Sequence, residues 1–397
     1  MDLKTGVFAS RPSYLEIDLD SYRKNIVGFK KHFLKKSSKP VMLCAVVKAN
    51  AYGHGMLEIA HEAVKAGVEY LAVAFLEEGV ILRESGINIP IILMGGIIKG
   101  QIEKYIKYNL EITVSSNLKA RQIHEIACQM NQKAIVHLKI DTGMQRIGVQ
   151  YTNAIDFYEH VQALDHIQIK GIYSHFADAD NEENLDFVNT QIKLFEEVIK
   201  SIEQRFDLSR IIKHIANGPA AIKVKESLFD MARVGLATYG LYPDKSCKKH
   251  ITLYPVLGMK SQVVYFKVVP KNTSIGYNRT YYTTEETRIV TIPVGYGDGL
   301  DKRLSNKGKV IINGEIHNMV GKINMDQFMV DIGKDGEAYN DDEVVIIGKQ
   351  KDKEITLEQI CDECDIDPFE FLCRLTTRIP RMYHSSSNDI YSKSFLD

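Results

Sequence analysis

Short apolar runs alternate with longer amphipathic stretches over the first part of the chain. Each run is bounded by turn-forming residues, which predicts a buried strand, and each gap is long enough for a helix. The eight predicted strands are Leu43–Ala49, Tyr70–Phe75, Pro90–Gly95, Leu110–Ser115, Ala134–Asp141, Ile167–His175, Ile211–Asn217 and Asp230–Gly235. A strand over Leu15–Leu19 and a helix from Ser21 to about Lys31 precede them. This alternation predicts an α/β fold with a parallel (β/α)8 barrel of the TIM type. An open doubly wound sheet is the alternative, but no Gly-x-Gly-x-x-Gly turn follows the first strand.

The pattern changes near Tyr254, where short strands separated by turn signals replace the alternation. Asn313-Gly314 lies between two of them and is a strong signal for a tight hairpin. The predicted strands are Gly258–Val269, Arg288–Val294, Lys309–Ile312, Glu315–Val320, Gln327–Ile332 and Glu343–Ile347, followed by helices at Leu357–Cys364 and Pro368–Arg374. We therefore expect a barrel over residues 13–253, a C-terminal, mostly antiparallel β domain over 254–384 and a flexible tail over 385–397.

Composition excludes several classes of function. Of 397 residues, 45% are hydrophobic and 25% are charged, and the net charge is -1, so nothing favours nucleic acid or a membrane surface as a partner. The chain has neither a long apolar run nor a signal-like start, and we expect a cytoplasmic protein. Cys361 and Cys364 form the one close cysteine pair. Because no second pair or matched histidines follow, we expect no metal site.

Polar residues end five of the eight predicted barrel strands. They are Lys48, Lys139 with Asp141, His175, Asn217 and Arg233. In such barrels the chemistry collects at the carboxyl ends of the strands. An amine at this position is partly desolvated, which lowers its pKa toward the nucleophilic form that a Schiff-base lysine needs. The ordinary alternative for Lys48 is a strand-end lysine that reaches into water.

A phosphate site is suggested by the turns after the last two barrel strands. Gly218 and Pro219 open a helical run after the seventh strand, and Gly235 follows the eighth. Barrels often hold phosphate in these two loops, where backbone N–H groups at a helix start favour an anion. Two ordinary glycine turns are the alternative.

The decapeptide Val46–Gly55, with sequence VVKANAYGHG, resembles the pyridoxal-phosphate lysine signature of the alanine racemase family. The resemblance covers about residues 13–384 in the same motif order. It implies that Lys48 binds pyridoxal 5'-phosphate as an aldimine and that the chain interconverts L- and D-alanine. In this family the product D-alanine supplies peptidoglycan precursors.

The resemblance also implies roles for residues of the barrel. Arg233 faces the pyridine nitrogen, His175 lies against the ring, and Lys139 is carbamylated so that it holds Arg146 toward the substrate. The alternative for Lys139 is an ion pair with Asp141. The full set of implied cofactor-binding residues is Lys48, Tyr52, His175, Asn217, Gly218, Arg233, Gly235 and Leu236.

Two tyrosine motifs and one later segment complete the resemblance. Tyr277 matches a second catalytic base that works with Lys48, and Tyr296 matches a residue that narrows the entrance. For the segment Asn318–Gln327, the resemblance implies that the backbone N–H of Met325 receives the substrate carboxylate and that Asp326 also binds substrate. Because Tyr277 reaches its site from a second subunit in the family, the resemblance implies a head-to-tail homodimer with shared active sites.

Three positions depart from the common family pattern. Gly218 replaces a serine that contacts the phosphate, Thr377 stands where some members have a tyrosine, and Asn324 replaces a frequent cysteine. These changes predict a looser cofactor site and an altered pocket. A serine, lysine or broad-specificity racemase is therefore the nearest alternative. An amino-acid decarboxylase and a non-catalytic cofactor-binding protein are the others.

Overall fold

The computed structural model describes residues 11–181, 183, 185–386 and 391–393. The chain divides into two units. Residues 22–51 and 56–254 form the barrel unit. The β unit contains the described residues up to Ser21, residues 52–55 and the described residues from Pro255 onward.

The barrel unit is built on eight parallel strands. In chain order, and numbered one to eight below, they are Met42–Val46, Tyr70–Val73, Ile91–Leu93, Glu111–Val114, Ala134–Asp141, Ile167–Tyr173, Ile212–His214 and Met231–Val234. Strand eight pairs with strand one, and each other strand pairs with the next as far as strand seven. Strands seven and eight meet where Asp230 N donates to Lys213 O at 2.9 Å and Arg233 N donates to Ala216 O at 3.0 Å. The predicted eight-stranded barrel is confirmed.

Helices cover the outside of these strands, because their apolar residues recur on one side. In Leu185–Glu203, for example, Val188, Ile192, Phe195 and Ile199 are buried and recur at helical spacing. The α-helices that begin in or near this unit are Leu19–Lys36, Met56–Lys65, Leu76–Glu84, Ile102–Lys107, Asn117–Gln129, Ala154–Gln162, Leu185–Glu203 and Gly218–Lys223. No helix in the described parts of the chain has the length and apolar character needed to cross a bilayer.

The β unit is an 11-stranded sheet in which nearly all neighbours are antiparallel. Its strands are Tyr14–Asp18, Leu257–Gln262, Tyr265–Val269, Thr287–Ile292, Lys309–Ile312, Glu315–Val320, Phe328–Asp331, Glu343–Gln350, Lys353–Ile355, Arg381–His384 and Tyr391–Lys393. Asn313 and Gly314, with φ of 55° and 90°, form the expected hairpin turn. A smaller ladder joins Ser274–Ile275 to Tyr281–Tyr282, and the unit's two helices are Leu357–Cys364 and Pro368–Arg374.

The structure differs from the sequence-based organisation in the β unit. The strand expected over Gly258–Val269 is two strands with different neighbours: Leu257–Gln262 pairs with Glu343–Gln350, and Tyr265–Val269 pairs with Thr287–Ile292. Tyr14–Asp18, which the expected barrel boundary at residue 13 includes, instead pairs with two strands of the β unit. Most of the expected flexible tail, 385–397, lies outside the described residues, but Tyr391–Lys393 pairs with Arg381–His384.

Candidate active site

Lys48 stands at the start of a left-handed turn. Strand one ends at Val46 rather than at the predicted Ala49, because Ala49, Asn50 and Ala51 have φ of 53°, 54° and 53°. This conformation costs about 1–2 kcal/mol for each residue with a side chain. Local hydrogen bonds oppose that cost, since Asn50 Oδ1 accepts from Met56 N at 2.9 Å. The turn leaves Lys48 half-buried at the carboxyl end of the strand.

A cavity of about 410 Å³ opens at this end of the barrel. It is lined by Lys48, Ala74, Met94, Gly95, Gly96, Lys139, Arg146, Ile147, Tyr173, His175 and Arg233. Five of these were singled out from the sequence, and they come from four different strands or the turns that follow them. The structure therefore gathers several cationic side chains around one space. Like charges this close raise the free energy of their charged forms.

Arg233 lies in the cavity wall and is only 3% exposed. One Nη2 hydrogen bond goes to Ser174 O at 2.8 Å and another to His175 Nδ1 at 3.1 Å. Nη1 donates to His214 Nδ1 at 2.7 Å. The buried Nε has no hydrogen-bond partner in the described part of the chain. A buried donor without an acceptor is costly, so this N–H fits a ligand that brings an acceptor.

Lys139 is the second buried cation without a hydrogen-bond partner among the described residues. Its Nζ lies 4.4 Å from the centroid of the Tyr173 ring. Burial, followed by repulsion from Arg233, holds the pKa of Lys139 well below its usual range, while Asp141 opposes the shift. The environment of Lys139 therefore disfavours the charged ammonium form of the side chain.

His175 is half-buried on the same wall. Burial lowers its pKa well below the usual value, and the positive charges of Arg233 and Lys139 add to the shift. The imidazole is therefore neutral, and its Nδ1 accepts a hydrogen bond from Arg233 Nη2. A neutral, flat ring fits against the face of a flat aromatic ligand.

The residues expected at a phosphate are positioned separately from this lining. Asn217 caps the helix Gly218–Lys223, because its Oδ1 accepts from Ala220 N at 3.3 Å. Gly235 precedes the 3₁₀ turn Leu236–Tyr239. These residues follow strands seven and eight as predicted, but they are not among the cavity-lining residues.

Tyr52 belongs to the β unit in the structure. Its ring centroid lies 5.6 Å from that of Phe369. The following turn is fixed within the same unit, since Arg381 Nη2 donates to Gly53 O at 2.9 Å and Tyr383 Oη donates to His54 O at 3.1 Å. A Cβ at Gly53 would lie 2.4 Å from Leu372 O, so this position needs glycine.

The β unit has a cavity of about 680 Å³ of its own. Its lining includes the four residues expected at the substrate, together with two lysines: Tyr277, Tyr296, Met325, Asp326, Lys302 and Lys322. The side chain of Tyr277 is 70% exposed and that of Met325 is 53% exposed. These side chains are accessible to a ligand or to another chain.

Two segments lie in contact in this cavity. Tyr296 N donates to Asn324 O at 3.0 Å, and Gly297 N donates to Met325 O at 2.9 Å. A Cβ at Gly295 would lie 2.2 Å from Met325 O, which explains the glycine-rich motif. Among the described residues, the Met325 N–H donates to no backbone carbonyl. This N–H is thus open to a ligand acceptor.

Several residues that line the two cavities or contact their lining were not predicted from the sequence. Tyr173 stacks on the buried His214 ring at 4.8 Å and hydrogen-bonds to Thr113 at 2.7 Å. Lys302 lies 5.0 Å from the Tyr296 ring centroid. Arg378 Nη2 binds Asp326 Oδ1 at 2.5 Å. Of Tyr173, Lys302 and Arg378, only Tyr173 could have been identified from the sequence, since it directly precedes the Ser-His-Phe motif at the end of a predicted strand.

Family models match both units of the chain. The model for the alanine racemase N-terminal domain matches residues 17–243, and that for the alanine racemase C-terminal domain matches residues 256–383. The alanine racemase of Halothermothrix orenii is 38% identical over 94% of this chain and 97% of its own. Alanine racemase 2 of Caldanaerobacter subterraneus is 37% identical over 94% of this chain and 95% of its own.

Solved structures give the same likeness over nearly the whole chain. The alanine racemase of Clostridium difficile has a TM-score of 0.90 at 34% identity, covering 98% of this chain and 100% of that one. The Bacillus anthracis alanine racemase with bound L-Ala-P has a TM-score of 0.89 at 30% identity, covering 97% and 98%. A histidine racemase of Leuconostoc mesenteroides has a TM-score of 0.85 at 26% identity, covering 95% and 99%.

Proposed function

The chain belongs to the alanine racemase family, whose members depend on pyridoxal 5'-phosphate, and we propose that it interconverts L- and D-alanine. The observation that carries this proposal is the barrel cavity. It combines a half-buried lysine, Lys48, with the buried donor Arg233 Nε, for which no acceptor exists among the described residues. An amine and a fixed N–H donor are what an aldehyde-bearing pyridine cofactor requires of its site.

The residues present fit this cofactor. Arg233 Nε would donate to the pyridine nitrogen of the bound cofactor, and because arginine only donates, that nitrogen would stay unprotonated. The neutral His175 ring supports the flat ring system. Backbone N–H groups after strands seven and eight, at Gly218 and Leu236, serve the phosphate. When bound, the cofactor draws electrons from the α-carbon of an amino acid and so makes its proton easier to remove.

Lys48 and Tyr277 are the proposed carriers of the α-proton. Racemisation removes this proton from one face of the carbon and returns a proton to the other face. One group cannot easily serve both faces, so two groups are required. The Lys48 amine takes or gives the proton on one face, and the Tyr277 hydroxyl does so on the other.

We assign Lys139 and Arg146 to the part of the site that binds the substrate. The buried Lys139 amine, in its unprotonated form, attacks carbon dioxide; an N–C bond forms, one C–O π bond opens to the carboxylate and one N–H proton leaves to solvent. The resulting carbamate is an anion that can hold Arg146 by paired hydrogen bonds. Burial and the charge of Arg233 lower the pKa of Lys139, and this supports the reaction because only the unprotonated amine is nucleophilic.

A head-to-tail homodimer with shared active sites is part of the proposal. The large exposed fraction of Tyr277, in a cavity with the available Met325 N–H, supports its use by a second copy of the chain. Tyr296 and Asp326 line the same cavity and are assigned to substrate entry and binding.

None of the six cysteines, all within the described residues, forms a disulfide, which supports a reducing cytoplasm. There, the D-alanine would enter peptidoglycan synthesis.

A racemase of another amino acid is the second candidate, because the histidine racemase shares this architecture. The deciding test incubates the protein with pyridoxal phosphate and L-alanine, L-serine, L-lysine or L-histidine in heavy water. Optical activity and deuterium at the α-carbon are followed. We expect fastest racemisation of alanine. Faster turnover of another substrate would transfer the assignment to it, and loss of the α-carboxylate would indicate a decarboxylase.

Two variants test the roles of Lys48 and Tyr277 in proton transfer. Lys48→Ala should lose the visible absorbance of the bound cofactor, and Tyr277→Phe should lose racemisation while keeping that absorbance. Deuterium exchange without racemisation in the wild type would mean that only one group works. No exchange with any substrate would overturn the proposal and leave a cofactor-binding protein.

A further inference from the structure

Four buried side chains form a continuous chain of hydrogen bonds through the barrel interior. Glu111 Oε2 lies 2.6 Å from His137 Nε2, His137 Nδ1 lies 3.1 Å from His214 Nε2, and His214 Nδ1 lies 2.7 Å from Arg233 Nη1. Glu111 is 5% exposed, both histidines are 0% exposed and Arg233 is 3% exposed. The roles proposed above use only Arg233, at the cavity end of this chain.

The arginine end fixes the position of every proton in the chain. Arg233 can only donate, so His214 Nδ1 must accept. The proton of the neutral His214 then lies on Nε2 and is donated to His137 Nδ1. His137 therefore carries its own proton on Nε2 and donates it to Glu111. An imidazolium at either histidine would place two donors against each other and break a hydrogen bond.

The positive charge of Arg233 is compensated through the same series of hydrogen bonds. The other acceptors that Arg233 reaches are neutral, namely the carbonyls of Ser174 and Ile215 and the His175 ring. Burial, together with the charge of Arg233, keeps the pKa of His214 well below its usual value, which agrees with a neutral ring. Glu111 is thus the carboxylate to which the hydrogen-bonded chain connects the buried guanidinium. Hydrogen bonds in a low-dielectric interior polarise one another, so its charge strengthens each bond toward Arg233.

We propose that Glu111 is a positioning residue for the reaction, acting through His137 and His214 to hold and partly neutralise Arg233 in the wall of the barrel cavity. This inference rests on the proposed function. Without the carboxylate charge, the uncompensated guanidinium donates more strongly from Nε to the pyridine nitrogen. The ring then draws more electrons, which favours transamination over racemisation.

The side reaction gives a measurable consequence. In it, alanine and the cofactor aldehyde become pyruvate and the cofactor amine: the amino group moves, the α-carbon is oxidised to a ketone and the aldehyde carbon is reduced to CH2–NH2. For Glu111→Gln, which keeps an acceptor for His137 but removes the charge, we expect about a tenfold rise in pyruvate formed per racemisation event. We also expect a changed pH titration of the bound cofactor's absorbance.

Glu62→Gln is the matched control. Glu62 is a barrel-unit carboxylate that is 3% exposed and accepts from Arg23 Nε at 2.6 Å, outside the cavity lining. Glu62→Gln should change neither the pyruvate formed per racemisation event nor the pH titration of the bound cofactor's absorbance. Equal changes in the two variants would indicate only a structural role for Glu111, and no change in Glu111→Gln would overturn the proposal.

A second measurement needs neither a folded variant nor activity. Nitrogen-15 NMR of histidine-labelled wild-type protein, before and after loading with pyridoxal phosphate, reports ring tautomers. We expect His137 and His214 to be neutral with the proton on Nε2 in both states. A protonated ring, or a proton on Nδ1 of either residue, would overturn the inference. Failure to bind cofactor would instead count against the proposed function, since the tautomers of the free protein remain measurable.

Discussion

Lys139 brings an ionisable amine into the barrel interior, and its environment determines which form is stable. No hydrogen-bond acceptor among the described residues reaches its Nζ, and Arg233 repels its charge. The Tyr173 ring face at 4.4 Å compensates only weakly. The folded protein therefore holds Lys139 uncharged over a pH range in which the unfolded chain would be protonated.

Lys139 should give the protein a stability that increases with pH. Its folded pKa is lowered and its unfolded pKa is near 10.5, so unfolding between these values takes up a proton. The free energy of unfolding then rises with pH by up to about 1.4 kcal/mol per pH unit in buffer free of carbon dioxide. Lys139→Met should remove this slope in the pH range just below 10.5, as measured by urea unfolding. Lys170→Met, at a half-buried lysine of strand six, should retain it.

Gly218 occupies a position that accepts a larger side chain. A Cβ there would meet only Pro243 Cγ and Val234 Cγ1, both at 3.9 Å. Gly218→Ser should therefore fold normally and lower the Kd for pyridoxal phosphate about tenfold, because its hydroxyl can bond a charged phosphate. The measurement is titration of cofactor-free protein followed by absorbance. Gly218→Ala adds the Cβ without the hydroxyl; an equal gain in this control would contradict the explanation.

At the scale of elements, one helix supports two segments of the candidate site. Glu78, in the first turn of Leu76–Glu84, accepts from Ala49 N at 2.7 Å through Oε1. Its Oε2 accepts from Ala74 N at 2.8 Å and from Phe75 N at 3.1 Å. One carboxylate thus holds both the strained turn after Lys48 and the turn after strand two.

Loss of the Glu78 carboxylate should affect both stability and turnover. Glu78→Ala leaves three backbone N–H groups without this acceptor, and we expect about 2–3 kcal/mol of destabilisation in urea unfolding. We also expect a lower kcat, because the turn beside Lys48 loses an attachment. Glu77→Ala, at the exposed neighbouring residue of the same helix, should change neither. A normal kcat in Glu78→Ala would mean that the turn holds its conformation without this support.

Elements were predictable from sequence where one strong local pattern determined them. The apolar barrel strands have such a pattern, because parallel strands are buried on both faces. The left-handed turn has none: Ala49-Asn50-Ala51 contains no glycine, so the apolar pattern extended the strand too far. The break at Val263–Val264, which divides the predicted strand Gly258–Val269 into two, was missed for a similar reason. The hydrophobic pattern shows which residues are buried but not which neighbour a strand pairs with.

At the scale of the whole molecule, long-range pairing limited what the sequence could show of the site. The motif positions gave Lys48, His175 and Arg233, each at the end of a strand. The series of hydrogen bonds from Glu111 through His137 to His214 was missed. His137 is 26 positions from Glu111 and 77 positions from His214, so no local motif contains these residues together. Glu111 and His137 interrupt apolar strands that are otherwise buried. A polar residue at an inward strand position is the signal that could have indicated this series.

The proposed shared active sites give a prediction for mixed dimers. If Lys48 of one chain works with Tyr277 of its partner, dimers of Lys48→Ala alone or Tyr277→Phe alone have no intact site. A mixed dimer then has one doubly altered site and one intact site. Random mixing at equal amounts makes half of the dimers mixed, so about a quarter of wild-type activity should return. The measurement is the alanine racemisation rate after co-refolding or co-expression. Activity that stays at the level of the separate variants, with mixed dimers confirmed by mass, would mean that both groups act within one chain.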